Sequence, residues 1–479
     1  MVQGRQTAVL DVGADFVGGG KVEAVTLRLH QLKAIDDLRA AYRAGHRAPV
    51  LVMATGGGKT HTSAVIIREA VAKGRSVWFL AHLREILDAT SAKLTSERIP
   101  HGHIMAGRPD QTDLPVQIVM VQTAARRLGR YRKPDLIVID ECHLAVAETY
   151  RKVIEDAGRP HLLGLTATPV RLDGRGLDEI FDMLVPSCTT SELIAQQLLV
   201  PIRYFAPSQP DLTGVRTVAG DYAPGEVADR MNRPSITGSA VEHYRKLAHG
   251  RPAVAFATNV KHANDVASEF AAAGYRAMAI GGHSPEAIRR EALHGLNAGD
   301  IDVVVNCQLW VAGVDAPGIG CVIMLAPTQS VVKYLQSIGR GLRTAPGKRE
   351  LIVLDHAGNC FRHGLPTDPR EWALTGTPKR TRSAEDEPEV VRQCDRCFFV
   401  YRPAPECPAC GHRQAPRLSK LQQRAGELAE LAEIKRRERD EVRHARTIEA
   451  LKDIAIKRGY SIGWAYQMAR VRGSRSLRT

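Results

Sequence analysis

The sequence predicts an α/β protein: two tandem parallel-sheet domains, then a small four-cysteine module and a helical C-terminal tail. Three observations predict it. Short apolar runs alternate with amphipathic stretches in two successive series. A glycine-rich loop and an acidic box each follow an apolar run of the first series. Two C-x-x-C pairs come after the second series.

The first 22 residues carry Asp11 and Asp15 and lack a basic-then-apolar layout, so they read as an N-terminal tail and not as a secretory leader. From 23 to 200, strand-sized runs at Pro49–Met53, Ser76–Ala81, Gln117–Val121, Leu136–Ile139 and Leu162–Leu165 alternate with helical patterns such as Thr62–Ala72 and Leu83–Ser96. That alternation predicts a parallel sheet covered by helices. Residues 201–235 are rich in Pro, Gly and Asp and read as a connector. A second series over 236–364 has strand runs at Ala253–Ala257, Ala277–Ile280, Val303–Asn306, Val322–Leu325 and Leu351–Leu354. Residues 365–393 have linker composition, 394–412 hold the cysteine module, and 413–479 form a basic tail of helix-favouring residues.

Composition sets limits on function. The 479 residues suggest about three domains. A 44% apolar and 25% charged chain is ordinary for a globular protein. The formal net charge of +14 favours a polyanionic partner, either nucleic acid or an anionic membrane surface. No apolar run approaches the ~20 residues of a spanning helix, so a membrane role is not expected. Nine cysteines, four of them clustered, point to a reducing compartment and a metal site rather than a disulfide framework.

The glycine-rich loop is Ala54-Thr55-Gly56-Gly57-Gly58-Lys59-Thr60, placed between a strand and a helix. Its glycines free backbone N–H groups to wrap phosphates, so Thr55, Gly56, Gly57 and Gly58 are candidate nucleotide contacts. Lys59 reaches the outer phosphates and the Thr60 hydroxyl suits Mg²⁺. The strict form of this loop has Gly where this chain has Met53. The run Leu136–Ile139 delivers Asp140-Glu141-Cys142-His143 to the carboxyl end of a strand, where ligands bind in such sheets. Asp140 suits Mg²⁺ through water, and Glu141 suits orienting and deprotonating an attacking water.

Cys394-x-x-Cys397 and Cys407-x-x-Cys410 offer four thiolates in two knuckles, which suits tetrahedral Zn²⁺. An iron–sulfur cluster is the alternative metal reading. Gly411 fits the turn of the second knuckle, and His412 is expected outside the ligand shell. Residues 411–479 hold 17 Lys/Arg against 8 Asp/Glu, a surplus of nine, which is either a phosphate-contacting surface or a solvated helical face. Trp464 and Tyr466 read as local core, with base stacking the alternative.

Over roughly residues 26–362 the motifs resemble, in order, those of superfamily 2 DExH helicases and translocases, whose two parallel-sheet domains are RecA-like. Arg28-Leu29-His30-Gln31 resembles the adenine-reading motif, which implies Gln31 on the base. Phe79–Glu85 and Val121-Gln122-Thr123 resemble nucleic-acid-contacting motifs. Thr166-Ala167-Thr168-Pro169 resembles the motif linking hydrolysis to domain movement, which implies coupling roles for His143, Thr166 and Thr168. Ala312-Gly313-Val314-Asp315 resembles a further motif, of which Gly313 and Asp315 are carried over as nucleotide contacts; Val311-Ala312 depart from the usual Thr-Glu. Gln336-Ser337-Ile338-Gly339-Arg340-Gly341-Leu342-Arg343 matches the last motif, which implies Gln336, Arg340 and Arg343 at the γ-phosphate, with Arg343 as the arginine finger.

The order of two motor domains and a four-cysteine module resembles RadD-type bacterial or phage DNA repair helicases. That resemblance implies ATP, Mg²⁺ and Zn²⁺ as cofactors and an ATP-dependent DNA helicase or translocase of repair, recombination or replication. It also implies DNA favoured over RNA, a repair or single-strand-binding protein as partner, and a cytoplasmic, nucleoid-associated place in a bacterial or phage-infected cell. A DExH RNA helicase and the motor subunit of a restriction or defence complex are the competing expectations. No nuclease constellation is legible, so cleavage would require another chain.

Overall fold

The computed structural model describes residues 7–10, 25–207, 210–218, 220–232, 234–307, 316–376, 391–413, 441–442, 444–445, 447–457 and 462–471. The chain divides into two compact units, 1–412 and 413–479.

Within the first unit, seven strands form one parallel sheet in the order His101–Ile104, Val116–Met120, Val77–Ala81, Leu136–Asp140, His161–Thr166, Pro49–Val52, Met183–Pro186. Its central strands read as continuous apolar runs because helices cover both faces. Val50, Leu51, Phe79, Leu80, Val138 and Ile139 are fully buried. Each such side chain contributes about 1.5–3 kcal/mol of burial. Six further strands form a second parallel sheet in the order Ile202–Phe205, Leu351–Asp355, Cys321–Met324, Ala253–Phe256, Val303–Asn306, Ala277–Ile280. Two RecA-like parallel sheets, a cysteine cluster and C-terminal helices are therefore present, as the sequence predicts.

Local chemistry starts the helices. Asn259 caps Val260–Ala272 by accepting from the His262 N–H at 2.7 Å. Thr189 and Glu192 form a capping box at Thr190–Ala195. Ser330 caps Val331–Gly339.

Three segments differ from the sequence reading. Thr7–Leu10, placed in the tail, pairs antiparallel with Val25–Arg28. Ile202–Phe205, placed in the connector, is an edge strand of the second sheet. The remainder of that connector forms a small hairpin, Thr217–Val218 with Asp221–Tyr222, and a helix Pro224–Met231. Its polar, glycine-containing stretch hid a local core of Tyr222, Val227 and Met231. Residues 365–376, read as linker, return to the first sheet. The Leu177 N–H donates to the Leu374 carbonyl at 2.7 Å, and Trp372 and Leu374 pack on that sheet's core.

The cysteine module docks on the edge strand of the second sheet. The Ala206 N–H donates to the Phe398 carbonyl at 3.0 Å, and the Phe205 and Phe399 rings meet edge-on at 5.4 Å. In the 413–479 unit, helices Ile448–Lys457 and Ile462–Val471 pack through Leu451, Ile454, Ala455 and Ala465. Tyr466, expected in that core, is 51% exposed, with the Lys452 ammonium 5.1 Å from its ring centre. The Trp464 side chain lies outside the described residues, as do Gly313 and Asp315. No helix among the described residues is long and apolar enough to cross a membrane.

Candidate ATP site between the two sheets

Three neighbouring strands of the first sheet end at the site. Pro49–Val52 leads into the glycine loop, Leu136–Asp140 ends in the acidic pair, and His161–Thr166 between them ends in the threonine pair. Gly56 and Gly58 have φ of 84° and 95°, a left-handed backbone that favours glycine. A Cβ on Gly56 would lie 2.6 Å from the Leu199 side chain. Met53 is absent from the residues with positive φ, and its side chain is buried beneath the loop. No glycine is required there, which accounts for the departure from the strict loop. Lys59 opens helix Lys59–Ala72, with its Nζ donating to the Met53 carbonyl at 3.1 Å.

Gln31 is buried. Its side-chain Nε2 donates to the Gly57 and Gly58 carbonyls at 3.4 and 3.3 Å, and its Oε1 accepts from the Arg28 N–H at 2.9 Å. His30 adds a 2.9 Å bond from its ring to the Gly57 carbonyl. Both side chains brace the phosphate loop.

Glu141 has φ 48° and ψ 49°, a left-handed conformation that is costly for a non-glycine residue and is concentrated at functional sites. Burial raises the pKa of the Asp140 carboxyl, the Glu141 charge adds to this, and Lys59 and Arg340 oppose it. A bound cation would favour the ionised form further. His143 is buried, with its Nδ1 3.4 Å from Glu141 Oε2. Burial pushes its imidazole below the usual histidine range, so the ring beside the carboxylate is neutral. Thr166 Oγ1 lies 3.5 Å from the same Nδ1 and donates to the Thr168 carbonyl at 3.1 Å, tying the threonine pair to the acidic box.

The second sheet supplies the opposing wall through helix Val331–Gly339. Gln336 Nε2 donates to Glu141 Oε2 at 3.1 Å. A Cβ on Gly339 would meet Thr55 of the phosphate loop at 3.1 Å. Burial lowers the pKa of the Arg340 guanidinium, while Glu141 and Asp140 favour its charge. Arg343 is also enclosed; its backbone pairs with Leu199, and its charge helps to lower the pKa of Lys348. The structure therefore brings Lys59, Asp140, Glu141, His143, Gln336 and Arg340 together and sets Arg343 further along the same wall.

Sequence reasoning missed three features. Lys348 Nζ donates to the Gly341 and Pro317 carbonyls at 2.7 and 2.9 Å, and burial pushes its pKa down to about 8. Arg289 meets Glu85 across the two sheets at 3.5 Å. Asp221 of the connector hairpin binds Lys333. Lys348, Arg289 and Asp221 belong to no local motif, so no sequence signal marks these pairings.

The donor set fits a magnesium nucleotide: a left-handed glycine turn at a helix N-terminus, a lysine, a threonine hydroxyl and a strand-end aspartate. In the cysteine module, the sulfurs of Cys394 and Cys410 lie 3.6 Å apart and those of Cys397 and Cys407 3.7 Å apart, with all four within 4.8 Å. Tetrahedral zinc with sulfur at ~2.3 Å requires about 3.8 Å between sulfurs. The two knuckles are alike. Phe398 N–H bonds the Cys394 carbonyl and Gly411 N–H the Cys407 carbonyl, with φ of 61° and 68°. The His412 backbone N–H donates to Cys410, lowering that thiol to about 7. His412 is not among the clustered ligands.

Two RecA-like sheets facing across a phosphate loop, an acidic box and a basic helix define a motor ATPase core. Residues 24–171 match the family described as type III restriction enzyme, res subunit, and residues 239–345 match the helicase conserved C-terminal domain. The chain belongs to the superfamily 2 helicases, the nucleic-acid-dependent ATPases. It is 29% identical over 358 residues to a 51.5 kDa protein of a Lactococcus phage, covering 74% of this chain and 76% of that one. It is 28% identical to IRC3 of Saccharomyces cerevisiae, named as a candidate ATP-dependent helicase, over 70% of this chain and 52% of that one. It thus spans about half the length of the yeast relative. The fold is shared with a fragment of a candidate HsdR subunit of a type I restriction enzyme from Vibrio vulnificus, at TM-score 0.57 and 19% identity, covering 71% of this chain and 67% of that one.

Proposed function

We propose that this protein is a DNA-dependent ATPase that translocates on or unwinds DNA in repair, recombination or replication, with the layout of RadD-type helicases. The observation that carries the reading is Glu141, flanked by His143 of its own sheet and hydrogen-bonded from the other sheet by Gln336. A carboxylate so shared is complete only when the two sheets face each other, so hydrolysis reports their closure. In this reading Lys59 and the N–H groups of Thr55–Gly58 bind the phosphates, and Gln31 and His30 hold that loop in shape. Glu141 orients the attacking water and takes its proton, and Gln336 fixes the carboxylate. Arg340 and Arg343 stabilise charge that grows on the γ-phosphate. Thr60 and Asp140 would hold Mg²⁺, which screens the phosphate charge. His143, Thr166 and Thr168 couple the site to sheet movement. Cys394, Cys397, Cys407 and Cys410 would hold a structural Zn²⁺ that keeps the module on its edge strand.

The net charge and the zinc module support a nucleic-acid partner, with DNA favoured over RNA, and a repair or single-strand-binding protein as further partner. The phage relative supports a place in the cytoplasm of a bacterial or phage-infected cell. The match of residues 24–171 to the restriction family supports a second reading, the motor of a restriction or defence complex. The test is steady-state ATP hydrolysis with duplex, branched and single-stranded DNA and with RNA. Stimulation by DNA is expected. Stimulation by RNA alone overturns the DNA reading, and co-purification of a nuclease or methyltransferase favours the second.

A further inference from the structure

The connector hairpin and helix carry no motif, yet they touch both sheets beside the catalytic carboxylate. On the first-sheet side, Gly220 has φ 82°, and a Cβ there would lie 2.5 Å from the Asp173 backbone, so the hairpin turn presses on that loop. On the other side, Asp221 accepts from Thr328 Oγ1 at 2.8 Å, the Gln329 N–H at 2.7 Å and Lys333 Nζ at 2.8 Å. These three donors surround the start of helix Val331–Gly339, where the helix dipole also favours a carboxylate. Gln329 Nε2 adds a bond to Thr217 Oγ1 at 2.9 Å, and the Arg362 guanidinium lies 5.0 Å from the Tyr222 ring centre. The arm has its own small core of Tyr222, Val227 and Met231 against Ala357.

Lys333, Gln336 and Arg340 fall at helical spacing of three and four residues and so share one face. Asp221 fixes the first of them, Gln336 meets Glu141, and the charge of Arg340 is felt by both acids. Asp221, Tyr222 and Val227 also line a cavity of about 480 Å³ whose walls include Glu141, His143 and Gln336. The arm therefore occupies the place from which the register of this helix against Glu141 can be set.

We infer that Asp221 is a positioning residue for ATP hydrolysis, acting through Lys333 to hold Gln336 and Arg340 in register with Glu141. The inference rests on the ATPase reading above. It does not place Asp221 in contact with nucleotide.

The test is a kcat against KM split for Asp221→Asn and Lys333→Met, with fluorescent ATP-analogue affinity and thermal melting on the same samples. Misplacement of the helix lowers kcat roughly 10–100-fold. KM for ATP and analogue affinity stay within about twofold, because Lys59 and the phosphate loop are untouched. The double variant loses no more than the worse single, since both remove one link. Lys333 is 41% exposed at its side chain, so its variant reports even if Asp221→Asn fails to fold. A folded Asp221→Asn or Lys333→Met with wild-type kcat overturns the inference, as does a loss confined to KM. A wild-type chain without ATPase activity overturns the reading it rests on instead.

Discussion

Gln336 and Glu141, 195 positions apart in the chain, meet side chain to side chain at 3.1 Å. That bond joins a helix of the second sheet to the strand-end carboxylate of the first. In the proposed reading, neither half of the chain alone holds a complete hydrolytic site.

Removing either partner impairs chemistry more than binding. Glu141→Gln is expected to lower kcat by about 10²–10⁴, the usual range for loss of a positioned base. Gln336→Ala lowers it by roughly tenfold or more, because a single fixed donor is lost. Analogue affinity is retained in both. Steady-state kinetics beside fluorescence titration checks the split; a parallel loss of affinity contradicts it.

Gly58→Ala strains the phosphate loop. A left-handed non-glycine residue costs about 1–2 kcal/mol. Its Cβ would also displace the Gln31 amide that braces the loop. Weaker ATP binding is expected by at least several-fold, with the melting temperature lowered by only a few degrees. Unchanged affinity would show that Gln31 and Gly58 do not share one arrangement.

The cysteine module is expected to bind one Zn²⁺ per chain by metal analysis. Cobalt replacement should give intense thiolate-to-metal absorption, as four sulfur ligands require. Cys407→Ser, at a buried ligand, should lose the metal and lower the melting temperature, since module and edge strand stabilise each other. Iron with visible absorption in the purified protein would favour the cluster reading instead.

Acid should destabilise the second sheet. Burial pushes His262 and His363 down to about 4 and His356 to about 3, against an ordinary value of 6.5. Between those values the unfolded chain binds more protons than the folded one, so stability falls as pH drops from 6.5 towards 4. Each histidine contributes a slope of about 1.4 kcal/mol per pH unit in that window. Melting curves from pH 7 to 4.5 check this. His262→Gln should flatten the slope, and a stability independent of pH would contradict these buried neutral rings.

Much of the site was legible because its chemistry is local. The phosphate loop, the acidic box and the two cysteine knuckles each occupy a few consecutive residues whose backbone form follows from glycine, strand end or turn. Even Met53, a departure in sequence, is tolerated because the backbone there needs no left-handed residue. Long-range partners were not legible. Nothing in the string around Gln336 says that it meets Glu141, and Lys348 looks like any surface lysine. Residues 365–376 read as linker because Pro, Thr and charge dominate, while two apolar side chains, Trp372 and Leu374, decide where the segment lies. The connector failed similarly: Asp221 is one acid in a polar stretch until the hairpin places it against Thr328, Gln329 and Lys333.

Steady-state ATP hydrolysis by Arg340→Ala at saturating nucleic acid tests most directly that the site is shared between the two sheets. The expected result is a turnover lowered by about 10²-fold or more with ATP-analogue affinity nearly unchanged, as for a cation that acts on developing charge. Wild-type turnover in that variant would mean that the first sheet hydrolyses ATP without the second, and would contradict the account.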